Sequence, residues 1–179
     1  DIVDGVPGVT LIRKPNGGKG SAVRAGIEAS TGDYVLIQRA HLEYDPRDYV
    51  PMLQAMREGA TVVYGSRYLA HRGPYPNQSV LAYLGGISLS VVCKMLTRQW
   101  LADTVTAYKL FPRTLLKNLS LETSGFELDH EITAKVVARG ADIREVPIRY
   151  QPRSRQDGKK IGARDWLIAV RTFTRWRRG

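Results

Sequence analysis

Asn16-Gly17-Gly18-Lys19-Gly20 opens the stretch that decides how this chain is read. It runs on through an alanine-rich segment, Thr31-Gly32-Asp33 and the apolar Tyr34-Val35-Leu36-Ile37-Gln38 to Arg39-Ala40-His41-Leu42-Glu43-Tyr44-Asp45-Pro46. Ala22, Val23, Ala25, Ile27 and Ala29 predict a helix over 21–30, stopped by Thr31-Gly32. Residues 34–38 have the length and composition of a buried parallel strand. Ligands of open α/β sheets gather just past the carboxyl ends of strands, so Arg39, His41 and Glu43 are the first candidates for a site.

Outward from this stretch, strand and helix signals alternate. Val9-Thr10-Leu11-Ile12 predicts a strand ended by Lys14-Pro15-Asn16. Asp45-Pro46 is a helix start, with Tyr49, Val50, Leu53 and Met56 on one face and Gly59 as the stop. Thr61-Val62-Val63-Tyr64 is the next strand, running into Gly65-Ser66-Arg67, where the guanidinium of Arg67 offers paired donors suited to a phosphate. Residues 71–78 read as a loop. Residues 80–96 form a helix that is apolar nearly all round, which fits either a buried core helix or one lying in a membrane interface. A strand follows through Lys109-Leu110-Phe111, with Lys109 expected on its exposed face, and Pro112 begins a short helix to Leu119. Near residue 129 another helix begins, with Glu127, Asp129 and Glu131 at its amino end and Ile132, Val136 and Val137 toward the core. Residues 143–150 alternate as a strand, and Pro147 marks it as an edge.

Asn16, Gly18-Lys19-Gly20, Gly32-Asp33-Tyr34 and Leu42-Glu43-Tyr44-Asp45-Pro46 resemble the pattern of glycosyltransferase family 2, the inverting nucleotide-sugar enzymes of the GT-A fold. The resemblance is closest to members that act on polyprenyl or dolichyl phosphate, and it extends through Gly65-Ser66-Arg67, the segment 103–111, the acidic group 125–135 and Arg153 to Ile161. It implies an α/β fold, a GT-A-like, Rossmann-like, mainly parallel sheet flanked by helices and lacking the N-terminal strand-helix unit. It further implies donor binding by Asn16, Gly18, Lys19, Arg39 and His41, and phosphate or acceptor binding by Arg67, Arg153, Lys159 and Lys160. Asp129 and Glu131 take the position of the acidic catalytic segment. The family pattern carries two aspartates where this chain has Arg39 and His41. A magnesium or manganese ion expected from the family would therefore be left with Glu43 and His41 as ligands.

Composition narrows the rest. With 179 residues, 43% hydrophobic and 25% charged, the chain has the size and make-up of one globular domain. A single cysteine, Cys93, excludes an internal disulfide and fits a reducing, cytoplasmic setting. No apolar run reaches the roughly 18–20 residues of a bilayer span, the longest candidate being 80–93, so a peripheral membrane association is expected. The net charge is +10, and residues 149–179 hold ten basic residues against Asp157 and Asp165, so most of the excess is C-terminal. Such a patch suits lipid headgroups, phosphorylated ligands or nucleic acid, though no nucleic-acid module accompanies it. Residues 1–164 are expected to form the transferase domain and 165–179 a basic amphipathic helix carrying Trp166, Leu167, Val170, Phe173 and Trp176. Three functions remain open: a transferase that moves a sugar from a nucleotide sugar to a lipid phosphate, a catalytically degenerate domain acting as a binding or scaffold protein, and a basic membrane-surface or nucleic-acid binding module.

Overall fold

The structure, a computed structural model, describes residues 6–39, 42–71, 73–76, 78–152 and 162–177. Its elements, in chain order, are α1 (Lys19–Ala29), β1 (Tyr34–Ile37), a 3-10 turn (Pro46–Asp48), α2 (Tyr49–Arg57), β2 (Val62–Ser66), α3 (Arg67–Ala70), α4 (Val80–Thr97), β3 (Lys109–Pro112), α5 (Arg113–Lys117), α6 (Leu128–Ala138), β4 (Ile143–Pro147) and α7 (Ala163–Trp176).

The strands form one sheet in the order β1-β3-β2-β4. β3 runs antiparallel to β1 and β2, and β2 and β4 are parallel, so β1, β2 and β4 all point the same way. Their carboxyl ends and the amino end of β3 therefore share one edge. The two-residue period of strands divides the core between the faces. Val62, Tyr64 and Phe111 pack with Ile132 and Phe173 on one side, while Val63, Tyr108 and Leu110 pack with Met52 and Met56 of α2 on the other. Pro147 ends β4, an edge strand, where its missing N–H costs no ladder bond.

Four expectations need correction. Residues 9–12 form no strand, and Val9, Leu11 and Ile12 are exposed; a short segment without a partner strand among the described residues has no ladder to complete. Helix α2 buries Met52, Ala55 and Met56 against Val63 and Ile148 and leaves Val50 and Leu53 exposed, because the sheet packs on the face that carries the methionines. Lys109 is fully buried, because β3 lies between β1 and β2 and its first residue pairs with both Ile37 and Tyr64. Finally, α4 is neither too short nor a core helix. Its 18 residues have a mean hydropathy of 1.7, enough by length and composition alone to cross a membrane, and only 17% of that stretch is buried. Lys94 is its one charge and sits in the last turn, where it does not end the helix.

Candidate functional site

The glycines around Lys19 explain how the site is assembled. Gly18 has φ 86° and Asn16 Oδ1 accepts from its N–H at 3.1 Å, which closes the turn into α1. The carbonyl of Ser124 then accepts from the N–H groups of both Gly20, at 2.7 Å, and Ser21, at 3.2 Å. A Cβ at position 18 would stand 2.6 Å from that carbonyl oxygen, and one at position 20 would stand 2.8 Å from the same backbone. Lys19 is thereby held at the start of α1, beside the segment that leads into α6.

Lys19 Nζ donates to Asp129 Oδ2. Arg39 Nη2, two residues past β1, reaches the same oxygen at 3.3 Å, and Lys109 Nζ stands 3.4 Å from Oδ1. Asp129, in the first turn of α6, is thus ringed by three cations at the carboxyl edge of the sheet. Lys109 is 0% exposed, Asp129 7%, Lys19 17% and Arg39 28%, so the cluster grades from a buried pair to a solvent-facing rim. Phe126 lies against the rim, its ring centre 5.9 Å from Lys19 Nζ and 5.7 Å from Arg39 Cζ.

Burial opposes the charge on Asp129, but Lys109, Lys19 and Arg39 together outweigh it and hold the carboxyl well below the usual range. Burial is also the largest influence on Lys19; Asp129 opposes it, Arg39 and Lys109 add to it, and the ammonium is brought down to about 8. His130, buried against Phe173 with its ring centre 5.1 Å away, is lowered to about 4, chiefly by burial, with Asp129 opposing.

His130 makes stability pH-dependent. Above pH 6.5 it is neutral whether folded or unfolded and contributes no difference. As pH falls from 6.5 toward 4 the unfolded chain takes up a proton that the folded one resists, and stability is lost. About 2 kcal/mol of His130-dependent stability is expected to disappear between pH 7.5 and pH 5. Urea melts of the chain and of His130→Leu at both pH values check this; equal pH dependence of the two would refute it.

The other candidate residues stand apart from Asp129. Glu131 is fully buried and accepts from the N–H groups of Glu122 and Thr123, both at 2.9 Å, from Thr123 Oγ1 at 2.6 Å and from Lys135 Nζ at 2.6 Å. It fastens the turn before Ser124. Arg67 forks onto Asp103, with Nε to Oδ2 at 2.6 Å and Nη2 to Oδ1 at 2.7 Å, beneath the rings of Tyr68 and Tyr150. Glu43 accepts from Tyr150 Oη at 3.2 Å. With Tyr44, Asp45, His71 and Arg149 these two help line an open cleft of about 650 Å³ at the same sheet edge. His41, Arg153, Lys159 and Lys160 lie outside the described residues.

Sequence reasoning missed Lys109 and Asp103 as parts of these clusters. The signal was a lone lysine within the run Ala107-Tyr108-Lys109-Leu110-Phe111, where a cation makes sense only with a buried partner. The donor set does not suit a divalent metal ion either. Among the described residues no three His, Cys, Asp or Glu side chains gather to hold one, and both oxygens of Asp129 already face cations.

Comparison with known proteins agrees with this architecture. The chain is 26% identical over 147 residues to glycosyltransferase AglJ of Haloferax volcanii, covering 82% of this chain and 48% of that protein. It is 24% identical over 174 residues to a dolichol-phosphate mannosyltransferase of Pyrococcus furiosus, covering 95% and 49%. The chain therefore spans about half the length of these curated relatives. The crystal structure of mannosyl-3-phosphoglycerate synthase from Rubrobacter xylanophilus superposes with a TM-score of 0.60 at 19% identity, over 88% of this chain and 50% of that one, which shows a shared GT-A-like fold. The description of glycosyl transferase family 2 matches residues 1–120, two-thirds of the chain, with Lys19, Arg39 and Lys109 among them, and the chain belongs to that family.

Proposed function

We propose that this chain is part of a glycosyltransferase that moves a sugar from a nucleotide-sugar donor, with inversion, onto a polyprenyl-phosphate acceptor at the cytoplasmic face of a membrane. One juxtaposition carries the reading: the cation-rich sheet edge leads, through α3 and the loop after it, into an apolar helix that packing leaves largely uncovered. Leu81 is 81% exposed and Met95 76%, yet α4 is held to the domain by α7, where Trp166 Nε1 donates to Ser88 Oγ at 2.8 Å. Exposed apolar residues on α4, together with the exposed Arg164 and Arg171 of the adjoining α7, suit an anionic lipid surface. The dolichol-phosphate mannosyltransferase likeness supports a lipid-phosphate acceptor.

In this reading residues 1–164 are the transferase unit and 165–179 its basic, membrane-facing helix. Asn16, Gly18, Lys19, Arg39 and His41 receive the donor, while Arg153, Lys159 and Lys160 serve the phosphates; Arg67, expected among them, has both arms held by Asp103 and instead braces the edge beside the cleft. An acceptor phosphate oxygen attacks the anomeric carbon, and the bond to the nucleoside diphosphate breaks with its electron pair leaving on the diphosphate. A phosphate acceptor is already ionised, so the attack needs no general base. Asp129 then acts by orienting Lys19, Arg39 and Lys109, and Glu131 by fixing the turn that seats Ser124. The cleft of Glu43, Tyr44 and Tyr150 offers room for the sugar.

The test is transfer from UDP- and GDP-sugars to polyprenyl phosphate in vesicles containing phosphatidylglycerol, with the glycolipid read by mass spectrometry. A glycolipid product is expected, together with vesicle flotation that drops at least about fivefold in a Leu81→Glu, Leu84→Glu variant, since a carboxylate in the interface is costly. Nucleotide-sugar binding with no lipid product would favour the degenerate, binding-only reading, for which the replacement of an expected aspartate by Arg39 is the supporting observation.

A further inference from the structure

Lys109 and Asp129 by themselves are a balanced buried pair. Lys19 and Arg39 add two charges at the solvent side of that pair, and His130 beside them is neutral at pH 7. Counted by formal charge, three cations against one carboxylate leave +2, although burial presses the Lys109 ammonium downward against the pull of Asp129. Packing three cations around one carboxylate is electrostatically unfavourable unless something else is bound, because the cations repel one another at the low effective dielectric of a partly buried site. The donors are also incompletely used. Arg39 donates to Asp129 through Nη2 only, and its Nε is buried with no hydrogen-bond partner among the described residues. Phe126, itself half exposed, stands beside both rim cations and leaves their other side open to a ligand.

We infer that the rim formed by Lys19 and Arg39, backed by Lys109, binds a dianionic phosphate or diphosphate group directly, with no divalent cation between them. This rests on the transferase reading only for what the group is attached to. A guanidinium and an ammonium in place of a metal ion supply comparable positive charge, and the guanidinium adds paired donors that match phosphate oxygens. A carboxylate-held ion would instead have to sit among three cations and compete with them for the oxygens of Asp129. In transfer, the same two side chains would meet the negative charge that develops on the leaving diphosphate.

The experiment is calorimetric titration of the whole chain with UDP, GDP, inorganic pyrophosphate and polyprenyl phosphate in micelles, each in EDTA and in manganese. At least one phosphate probe is expected to bind in EDTA with an affinity that manganese changes by less than about threefold. Arg39→Gln is expected to weaken it about 10- to 100-fold, as the loss of a charge-assisted bond does, and Arg39→Lys less. Circular dichroism melts of both variants establish that they fold; Lys19→Gln, also at the rim, provides a second readout with the same expected direction. Binding by the nucleotides alone assigns the group to the donor, and binding by the lipid alone assigns it to the acceptor. Binding that requires manganese, affinity unchanged in both Arg39→Gln and Lys19→Gln, or no binding of any probe overturns the inference. Failure here is separable from failure of the transferase reading: manganese-dependent glycolipid synthesis would sink the inference and leave the transferase, whereas tight metal-free phosphate binding without sugar transfer would do the reverse.

Discussion

Replacing Asp129 by asparagine is expected to destabilise the domain by about 3–5 kcal/mol, the usual cost of removing one partner from a buried charge cluster. Lys109 is the reason the cost is high. It is 0% exposed, and among the described residues its ammonium otherwise meets the carbonyls of Thr104, at 3.2 Å, and Asp129, at 3.4 Å, and the ring of Tyr64, with the Asp103 carboxylate attracting it from farther off. Without the carboxylate it must lose its proton or draw water into the core. Arg39 and Lys19 would then repel it uncompensated. For a chain of 179 residues the loss corresponds to a fall in Tm of roughly 10 °C. Adding Arg39→Gln to Asp129→Asn should recover part of it, because one of the unbalanced charges is gone. A single-variant loss below about 1 kcal/mol would mean that Asp129 is not the anchor of the cluster.

Asp103→Ala is expected to be comparably severe, about 3–5 kcal/mol, for a different reason. The Asp103 side chain is 0% exposed and takes both arms of the Arg67 guanidinium as well as the Arg67 N–H, at 3.1 Å. The arginine is packed under Tyr68 and Tyr150 and cannot swing into water without disturbing both rings. Arg67→Met in the Asp103→Ala background should cost less than Asp103→Ala alone, since an apolar side chain there leaves no buried charge behind. Thermal melts of the three variants decide the matter. A mild Asp103→Ala phenotype joined to lost phosphate binding in Arg67→Lys would instead give Arg67 a mainly ligand-facing role.

Helices α1, α5 and α6 and strands β1, β2 and β4 were legible because their signals are local: an alanine-rich run with a Gly stop, apolar runs of strand length, and an acidic first turn. The edge where Arg39 stands was legible from the rule that ligands gather past strand ends. Lys109 was not, because periodicity along β3 says which residues share a face but not that both faces of a central strand are covered. The buried face of α2 was misjudged because the helix carries apolar residues on two overlapping faces and only docking on the sheet selects the one with Met52 and Met56. Conversely, the exposed state of α4 could not be read from an all-round apolar pattern, which is the same for a helix inside a core and one against lipid. Asp129 was singled out beside Glu131, but only folding shows that one meets Lys19, Arg39 and Lys109 while the other ties down a turn. The Lys19 and Arg39 pairings join residues 110 and 90 positions apart.

The seating of the Ser124 carbonyl on α1 bears on how this sequence can drift over generations. Any side chain at position 18 or 20 collides with the backbone at Ser124, whereas Lys19 between them contacts its neighbours only through a long side chain. A change at position 19 alters the charge balance around Asp129 but leaves the backbone packing in place, whereas the two flanking glycines cannot be exchanged until the segment around Ser124 has first moved away. The same asymmetry holds at Arg39, whose position lies past the end of β1 and outside the ladder. The framework of this edge is thus slower to evolve than the charges on its rim, which can vary only so far as Asp129 and Lys109 beneath them stay paired.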